Sequence, residues 1–375
     1  MILYITKIEK GNIGADMHYR AIQEISGANN VFTINLSPTE MKRREKNCIV
    51  YGKYKNVPER LHRWAQGNMM FINNKIIDEI CDVINEKHIH TVFIEDSTFG
   101  NLTKKIKQKC KTCKVLSFYH DIKADLYPQW IENDKTIKSK IEYSIGIRQE
   151  HVNQKYADVN IVFNQRDAGV FERIYGHKPE EIIPLPAPIP QNNDKCDVDV
   201  FDNNKINLLF VGKKYYPNLV GIQWFVDKVM PDLPSNMCVN IVGRGLEYLK
   251  EIYTDVRFNV IGGVESLDPY YRQADIVIAP LFDGGGMKSK TVEALSFGKV
   301  FVGTEESLFG FWEEMGDDIR YKKCYQCNTP EEWIKILNAL INSNISKFNK
   351  DIFDLFIAKF SYDVVRDQLK KIIEE

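Results

Sequence analysis

The sequence predicts an α/β protein made of two Rossmann-like, doubly wound domains in series. Three observations predict it. Short apolar runs rich in β-branched residues alternate with helix-like runs in both halves of the chain. A tract with four prolines, Pro184–Pro190, followed by an Asn/Asp-rich stretch, separates the halves and reads as a linker. In the second half glycines recur where strands end, at Gly212, Gly243, Gly262/Gly263, Gly284–Gly286 and Gly303. Ligands of doubly wound sheets bind at the carboxyl ends of the strands, so these glycines point to one crowded crevice.

The elements follow in order. "ILYI" is a first strand, followed by a loop from Gly11 to Gly14, a helix around Asp16–Ile25 and the strand "VFTI". The region from Leu36 to Gln66 is charged and carries no clear period. A helix around Phe71–Asn85 leads to "TVFIE", and a lysine-rich helix leads to "KVLSFYHD". A long helix around Lys138–Tyr156 precedes "VNIVF", and one around Asp167–Tyr175 precedes "EIIPL". After the linker the strands are "INLLFVG", "MCVNIVG", "VRFNVIGG", "DIVIAPL" and "VFVGT", with a helix between each pair. The domains are expected at residues 1–190 and 191–357.

Composition excludes several classes. With 375 residues, 44% hydrophobic and 27% charged, the chain is an ordinary soluble type. A net charge of -1 gives no general attraction to nucleic acid. No run approaches the ~18 apolar residues of a membrane span, and "MILYITKIEKGN" reads as a strand rather than a signal peptide. A cytoplasmic protein is expected. The eight cysteines include two Cys-x-x-Cys pairs, Cys110/Cys113 and Cys324/Cys327. Neither opens a helix after a strand in the redox manner, and a zinc site would need distant pairs to converge. Reduced, partly buried thiols are expected. "DVD" at Asp197–Asp199, in the linker, is the nearest Asp-x-Asp pair, so no metal site and no cofactor is expected.

The stretch "GGGMKSKTVEALSFG", Gly284–Gly298, joins a buried strand to a helix through a glycine loop. Such a loop lets a ligand approach the backbone, and the helix N-terminus favours an anion such as phosphate. A flexible loop carrying a solvated lysine pair is the other reading.

Laid end to end, "FVGKKYYPNLVGIQWFVDKVMPDL", "VNIVGRGLEYL" and "VIGGVESLDPYYRQADIVIAPLFDGGGMKSKTVEALSFGKVFVGT" resemble the nucleotide-sugar-binding domain of group 1 glycosyltransferases. These are retaining enzymes with two Rossmann-like domains facing across a cleft, the GT-B fold. The motifs come in the family's order over about 100 residues, far more specific than one glycine motif. The first domain matches loosely, through "SFYHD" and "FNQRDAGVFERIYG"; the last helix, about 358–375, looks like the family's helix that crosses back to it.

The resemblance implies roles. Glu293 matches the glutamate that binds the donor ribose hydroxyls. Lys290 and Lys288 match basic positions near the diphosphate, beside the amides of Gly286 and Met287. Lys213 is a second phosphate clamp, with Arg244 as a further candidate. Gly262, Gly263 and Val264 would lie near the base, and His120 matches a histidine facing the donor sugar. Gly14, closing the loop after the first strand, joins the donor-binding set. The catalytic group is then His120, Lys290 and Glu293. Where much of the family has a second glutamate the chain has Gly285, leaving Asp283 or backbone amides to hold the sugar.

Each role has a plainer alternative. Glu293 could pair with Lys290 on a helix surface, His120 could be a satisfied core histidine, and Lys213 could be merely exposed. Glu95, Asp96 and Asp121 end first-domain strands and could orient an acceptor hydroxyl, but read rather as solvated loop acids. The six lysines of Lys104–Lys114 are a solvated helix face or a contact for anionic membrane lipids.

The expected activity is metal-independent, retaining transfer of a sugar from a nucleotide-sugar to a glycan or lipid-linked acceptor, in bacterial surface polysaccharide synthesis. A nucleotide-sugar epimerase of the same fold, or an inactive paralogue that only binds partners, are the alternatives. A nicotinamide dehydrogenase is disfavoured, because "GNIG" and "GRGLEY" each lack a glycine of the dinucleotide fingerprint.

Overall fold

A computed structural model of the chain describes residues 1–7, 13–37, 42–52, 56–69, 72–133, 136–191 and 199–375. Gly11 of the first loop, Phe71, most of the Asn/Asp-rich tract and Asp197 of "DVD" lie outside the described residues. The chain divides into two units, Met1–Pro184 with Val365–Glu375, and Leu185–Val364.

In the first unit the elements are β1 (Ile2–Thr6), α1 (Ile13–Ser26), β2 (Val31–Ser37), β3 (Arg43–Glu45), β4 (Cys48–Gly52), α2 (Val57–Ala65), α3 (Asn74–Glu86), β5 (Thr91–Ile94), α4 (Gly100–Lys109), β6 (Lys114–Tyr119), α5 (Lys123–Asn133), α6 (Ile137–Tyr156), β7 (Val159–Val162), α7 (Gln165–Tyr175) and β8 (Glu181–Ile182). The sheet runs β3-β4-β2-β1-β5-β6-β7-β8 and is parallel except for β3 against β4. β1 and β5 are buried throughout, because helices cover both faces of a parallel sheet. That is why these strands read as unbroken apolar runs.

Two parts escaped the periodic reading. β3 is exposed at every residue and lies at the sheet's edge, so its charged sequence never alternates. α2 follows, with the Asn56 side chain accepting from Glu59 N at its start. α6 is a helix where expected, but it buries a polar face: Gln149, Glu150, Asn153 and Gln154. Gly100 permits this contact, since a Cβ there would stand 2.0 Å from the Gln149 carbonyl oxygen. Gln149 Oε1 accepts from Asn101 N at the start of α4. The Glu150 carboxylate accepts from Lys123 N and Ala124 N, capping α5 with a side chain from another helix.

The second unit comprises β9 (Ile206–Val211), α8 (Tyr216–Lys228), β10 (Met237–Val242), α9 (Leu249–Ile252), β11 (Phe258–Gly262), α10 (Asp268–Gln273), β12 (Ile276–Ala279), α11 (Ser289–Ser296), β13 (Val300–Gly303), α12 (Glu305–Leu308), β14 (Cys324–Gln326), α13 (Pro330–Ile341) and α14 (Lys350–Lys359). Its parallel sheet runs β11-β10-β9-β12-β13-β14. The last helix, α15 (Tyr362–Glu374), starts in this unit, and from Val365 onward its residues belong to the first. The boundary falls inside the proline tract rather than after it. Ala187 N donates to Phe360 O and Ala187 O accepts from Tyr362 N, which ties that segment to the second unit.

Candidate functional site

The second sheet fixes where a ligand can sit. From central β9 the chain moves outward to β10 and β11, then returns to β12 on the other side and continues to β13. The switch point lies between β9 and β12, where successive loops diverge and leave a crevice at the carboxyl ends. The β9 loop carries Gly212 and Lys213, and the β12 loop carries Asp283–Lys288. Neighbouring strand ends are pressed together. Gly212 N donates to Val242 O and Gly243 N donates to Gly262 O, at 2.9 and 2.7 Å. Gly243 has φ 153, and a Cβ on it would stand 1.8 Å from the Gly212 carbonyl oxygen. Gly243→Ala is therefore expected to cost about 2 kcal/mol or more, as overpacking does. Urea unfolding checks this: an unchanged midpoint would show that the loops can spread.

Two helices start at this crevice, α8 after β9 and α11 after β12. Neither N-cap, Tyr215 or Lys288, makes a side-chain cap hydrogen bond. By contrast α13 is closed by a capping box of Thr329 and Glu332. The first-turn N–H groups of α8 and α11 thus lack side-chain acceptors, and their dipoles favour negative charge.

Lys290, in the first turn of α11, is the cation placed for that charge. It is 7% exposed, lies over the Phe210 ring, and donates to Asn218 Oδ1 at 2.8 Å. No carboxylate stands within ion-pair distance of it among the described residues. Burial, with the nearby Lys288 charge, pulls its ammonium down from 10.5 to about 7. Asn218 also donates to Lys213 O at 2.8 Å, so it joins the β9 loop to α11. Glu293, one turn on, accepts from the Tyr271 hydroxyl at 2.8 Å. Burial raises its carboxyl from 4.5 to about 7, against the opposing effects of Tyr271 and Lys290. Tyr271 is itself held by stacking on Phe297, with ring centroids 5.0 Å apart.

Lys288, expected near the phosphates, has protein partners of its own. Its ammonium donates to the carbonyls of Gly285 and Gly286 and pairs with Glu306 at 2.6 Å. Here it braces the glycine loop. Gly286 has φ 60, the left-handed region, so a side chain there would strain the loop besides blocking approach. Met287 buries its side chain, and Asp283 is exposed, accepting from Gly284 N. Lys213 and Arg244 are exposed at the ends of β9 and β10, and Gly262, Gly263 and Val264 follow at the end of β11. Glu247, which the sequence reading passed over, accepts from Gly263 N at 3.2 Å.

In the first unit Glu95 and Asp96 are not solvated, which corrects the expectation for these two acids, while Asp121 is half-buried. Glu95 is 0% exposed and Asp96 5%. Glu95 accepts from the Tyr4 hydroxyl at 3.0 Å and bonds His18 Nδ1 and His120 Nε2, each at 2.8 Å. Burial pushes its carboxyl up, but the two imidazoles outweigh that and hold it at about 2. Asp96 pairs with Lys7 at 3.0 Å, and Asp121 pairs with Lys123 at 2.6 Å. These groups end β1, β5 and β6, beside the switch point between β1 and β5. Gly14 is a buried residue in the first turn of α1 rather than a loop residue.

The lysine tract has internal partners. Lys107 pairs with Asp158, Lys105 and Lys109 with Asp78, and Lys114 donates to Ile372 O. Lys104 lies over the Tyr156 ring. Among the described residues the cysteines are free thiols, and no three His, Cys, Asp or Glu side chains converge to hold a metal. No described helix is long and apolar enough to cross a membrane.

The switch-point crevice of this doubly wound sheet carries two helix starts without side-chain caps and the buried Lys290, a geometry suited to an anion. Residues 205–343, which lie within the second unit, match the model of the family Glycosyl transferases group 1. A 44.6 kDa protein of the cps region of Klebsiella pneumoniae is 27% identical over 219 residues, which span 55% of this chain and 55% of that protein. A glycosyltransferase of Methanocaldococcus jannaschii is 26% identical over 318 residues, 81% of this chain and 73% of that one. Among solved structures, HepE of Anabaena in complex with UDP and glucose aligns with a TM-score of 0.71 at 12% identity, over 100% of this chain and 99% of that one. WaaG, a glycosyltransferase involved in lipopolysaccharide biosynthesis, aligns with a TM-score of 0.71 at 14% identity over the same shares. At these identities the likeness establishes the fold, which is GT-B.

Proposed function

We propose that the protein is a glycosyltransferase that moves a sugar from a nucleotide-sugar donor to a glycan or lipid-linked acceptor in surface polysaccharide synthesis. Transfer retains the anomeric configuration and needs no metal ion. The observation that carries the reading is Lys290, buried with no carboxylate at ion-pair distance among the described residues, beside the open ends of α8 and α11. A buried ammonium in want of an anion, next to aligned N–H groups, is what a departing diphosphate requires. The family match and the UDP seen in HepE support it, as do the cps region of the Klebsiella relative and the role of WaaG.

In this mechanism Lys290 and the first-turn amides hold the diphosphate while Glu293 takes the ribose hydroxyls. Gly285 and Asp283 stand by the sugar, and Lys213 reaches the phosphates from β9. The bond from the anomeric carbon to the diphosphate oxygen breaks, and the acceptor oxygen bonds that carbon on the same face. The acceptor proton passes to the departing phosphate oxygen. No side chain is required as a covalent nucleophile.

A thermal-shift panel of UDP, GDP, ADP, CDP and dTDP, repeated with their sugars, tests the reading. One base should stand out, since a ligand at 100 times its Kd adds about 2.7 kcal/mol of stability. The shift should survive EDTA, and the product should keep the donor's anomeric configuration by NMR. No shift with any nucleotide would overturn the assignment. Activity lost on chelation and restored by manganese would overturn metal independence. Conversion of the donor without an acceptor would identify an epimerase instead.

A further inference from the structure

We propose that the groove between α3 and α4 of the first unit is a saccharide-binding site, in which Asn74 and Asn101 hold two neighbouring sugar hydroxyls. A glycan acceptor or product would supply the sugar, so the source of the ligand rests on the transferase reading. The chemistry of the groove does not.

The groove holds about 370 Å³, and its polar lining includes Gln66, Asn74, Asp78, Asn101, Lys104 and Gln108. Small-ligand sites usually measure ~300–1,000 Å³. Four of these side chains are amides, and the one acid is already answered. Asp78 pairs with Lys109 at 2.8 Å and with Lys105 at 3.6 Å. Lys104 lies over the Tyr156 ring. Both α3 and α4 start beside the groove, at the carboxyl-terminal edge of the first sheet, the edge at which such sheets take ligands.

A relay of amides fixes what the groove offers. A backbone carbonyl only accepts, so the Asn101 atom facing Gln66 O at 3.3 Å is the nitrogen Nδ2. The same nitrogen donates to Asn68 Oδ1 at 2.8 Å, which turns Asn68 Nδ2 toward Asn74 Oδ1 at 3.1 Å. Gln66 Oε1 accepts from Asn74 N at 2.9 Å. Gln149, from α6, accepts from Asn101 N and donates to Gly67 O, clamping the start of α4 to the turn after α2. Asn68 is 1% exposed and Gln149 3%, so the relay is set from behind the groove. It leaves over one acceptor, Asn101 Oδ1, and one donor, Asn74 Nδ2. Neither takes a protein partner among the described residues. A sugar hydroxyl both donates and accepts. One can donate to Asn101 while its neighbour accepts from Asn74, on groups already ordered by folding. A phosphate oxygen only accepts and would meet the Asn101 oxygen lone pair to lone pair.

Saturation-transfer NMR titrations of the full chain test this, using the methyl glycosides of glucose, galactose, mannose, rhamnose and N-acetylglucosamine, and glucuronic acid. At least one neutral glycoside should bind saturably. Asn74→Asp should weaken it about three- to tenfold, as loss of one neutral hydrogen bond does. The aspartate still accepts from Asn68 Nδ2 but offers no N–H. It also opens α3, where a carboxylate suits the helix dipole, so the fold is kept. Equal binding by parent and Asn74→Asp would overturn the proposal, as would no saturable binding of any glycoside. Binding confined to glucuronic acid and lost in Lys104→Gln would overturn it too, because the site would then read charge. Displacement of the glycoside by saturating UDP or GDP would place the sugar in the crevice of the second unit instead. If no nucleoside diphosphate binds while the glycoside titrations behave as expected, the transferase reading fails and the groove stands.

Discussion

Lys290→Met should lower kcat about a hundred- to thousand-fold, the loss seen when one preorganised charge donor is removed, while raising the melting temperature of the ligand-free protein. Methionine keeps an unbranched side chain of similar length and removes the charge together with the hydrogen bond to Asn218. Negative charge on the leaving diphosphate grows toward the transition state, so turnover suffers more than donor affinity. The stability change has the opposite sign for a physical reason. Burial holds the Lys290 ammonium at about 7 in the folded chain, against an ordinary 10.5. Between these values the unfolded chain binds more protons, so stability rises with pH across that window. The penalty of the buried ammonium is thus complete below pH 7 and fades as pH approaches 10.5. Lys290→Met should therefore gain on the parent at about pH 6 and lose that advantage near pH 10. Equal kcat in parent and variant would remove Lys290 from the mechanism. A variant less stable than the parent at low pH would mean that the ammonium is not buried at a cost.

The balance between charge and burial also marks what a sequence discloses. Two α/β halves were legible because strands such as β5 and β12 are buried on both faces and leave unbroken apolar runs. The crevice of the second sheet was legible because glycines gather at the ends of β9, β10, β11 and β12. Side-chain direction was not legible. Lys288 and Lys290 stand two apart and read alike, yet one folds back onto Glu306 while the other buries its ammonium against Asn218. Partners distant in sequence were hidden as well. Nothing near Glu293 announces Tyr271, and nothing near Glu95 announces His18 and Tyr4. An acid at a strand end looks solvated unless the donors that bury it are known. The same blindness covers α6, where Gln149, Glu150 and Asn153 are polar yet buried, because α4, α5 and β6 supply their hydrogen bonds.

Glu293→Gln should weaken the nucleoside diphosphate chosen by the thermal-shift panel by about ten- to a hundredfold, since hydrogen bonds to a charged group contribute roughly 1.5–3 kcal/mol. The 2′,3′-dideoxy form of the same diphosphate has no ribose diol. It should bind parent and variant alike, which separates the diol from the phosphates. pH provides the second axis. Burial holds the Glu293 carboxyl at about 7, so in the free protein it is largely protonated below that value. The parent's preference for the diol-bearing ligand over its dideoxy form should grow from about pH 6 to about pH 8 as the carboxylate forms. Taking the ratio of the two ligands cancels the opposite titration of Lys290, which faces the phosphates in both. Stability should move the other way. A carboxyl raised in the folded state contributes stability below about pH 4.5 and loses it as pH rises through 7, so the glutamine variant should gain on the parent across that window. If both ligands lose affinity equally, Glu293 acts on the phosphates or on the fold through Tyr271. If the ligand preference is flat with pH, the carboxylate does not meet the diol.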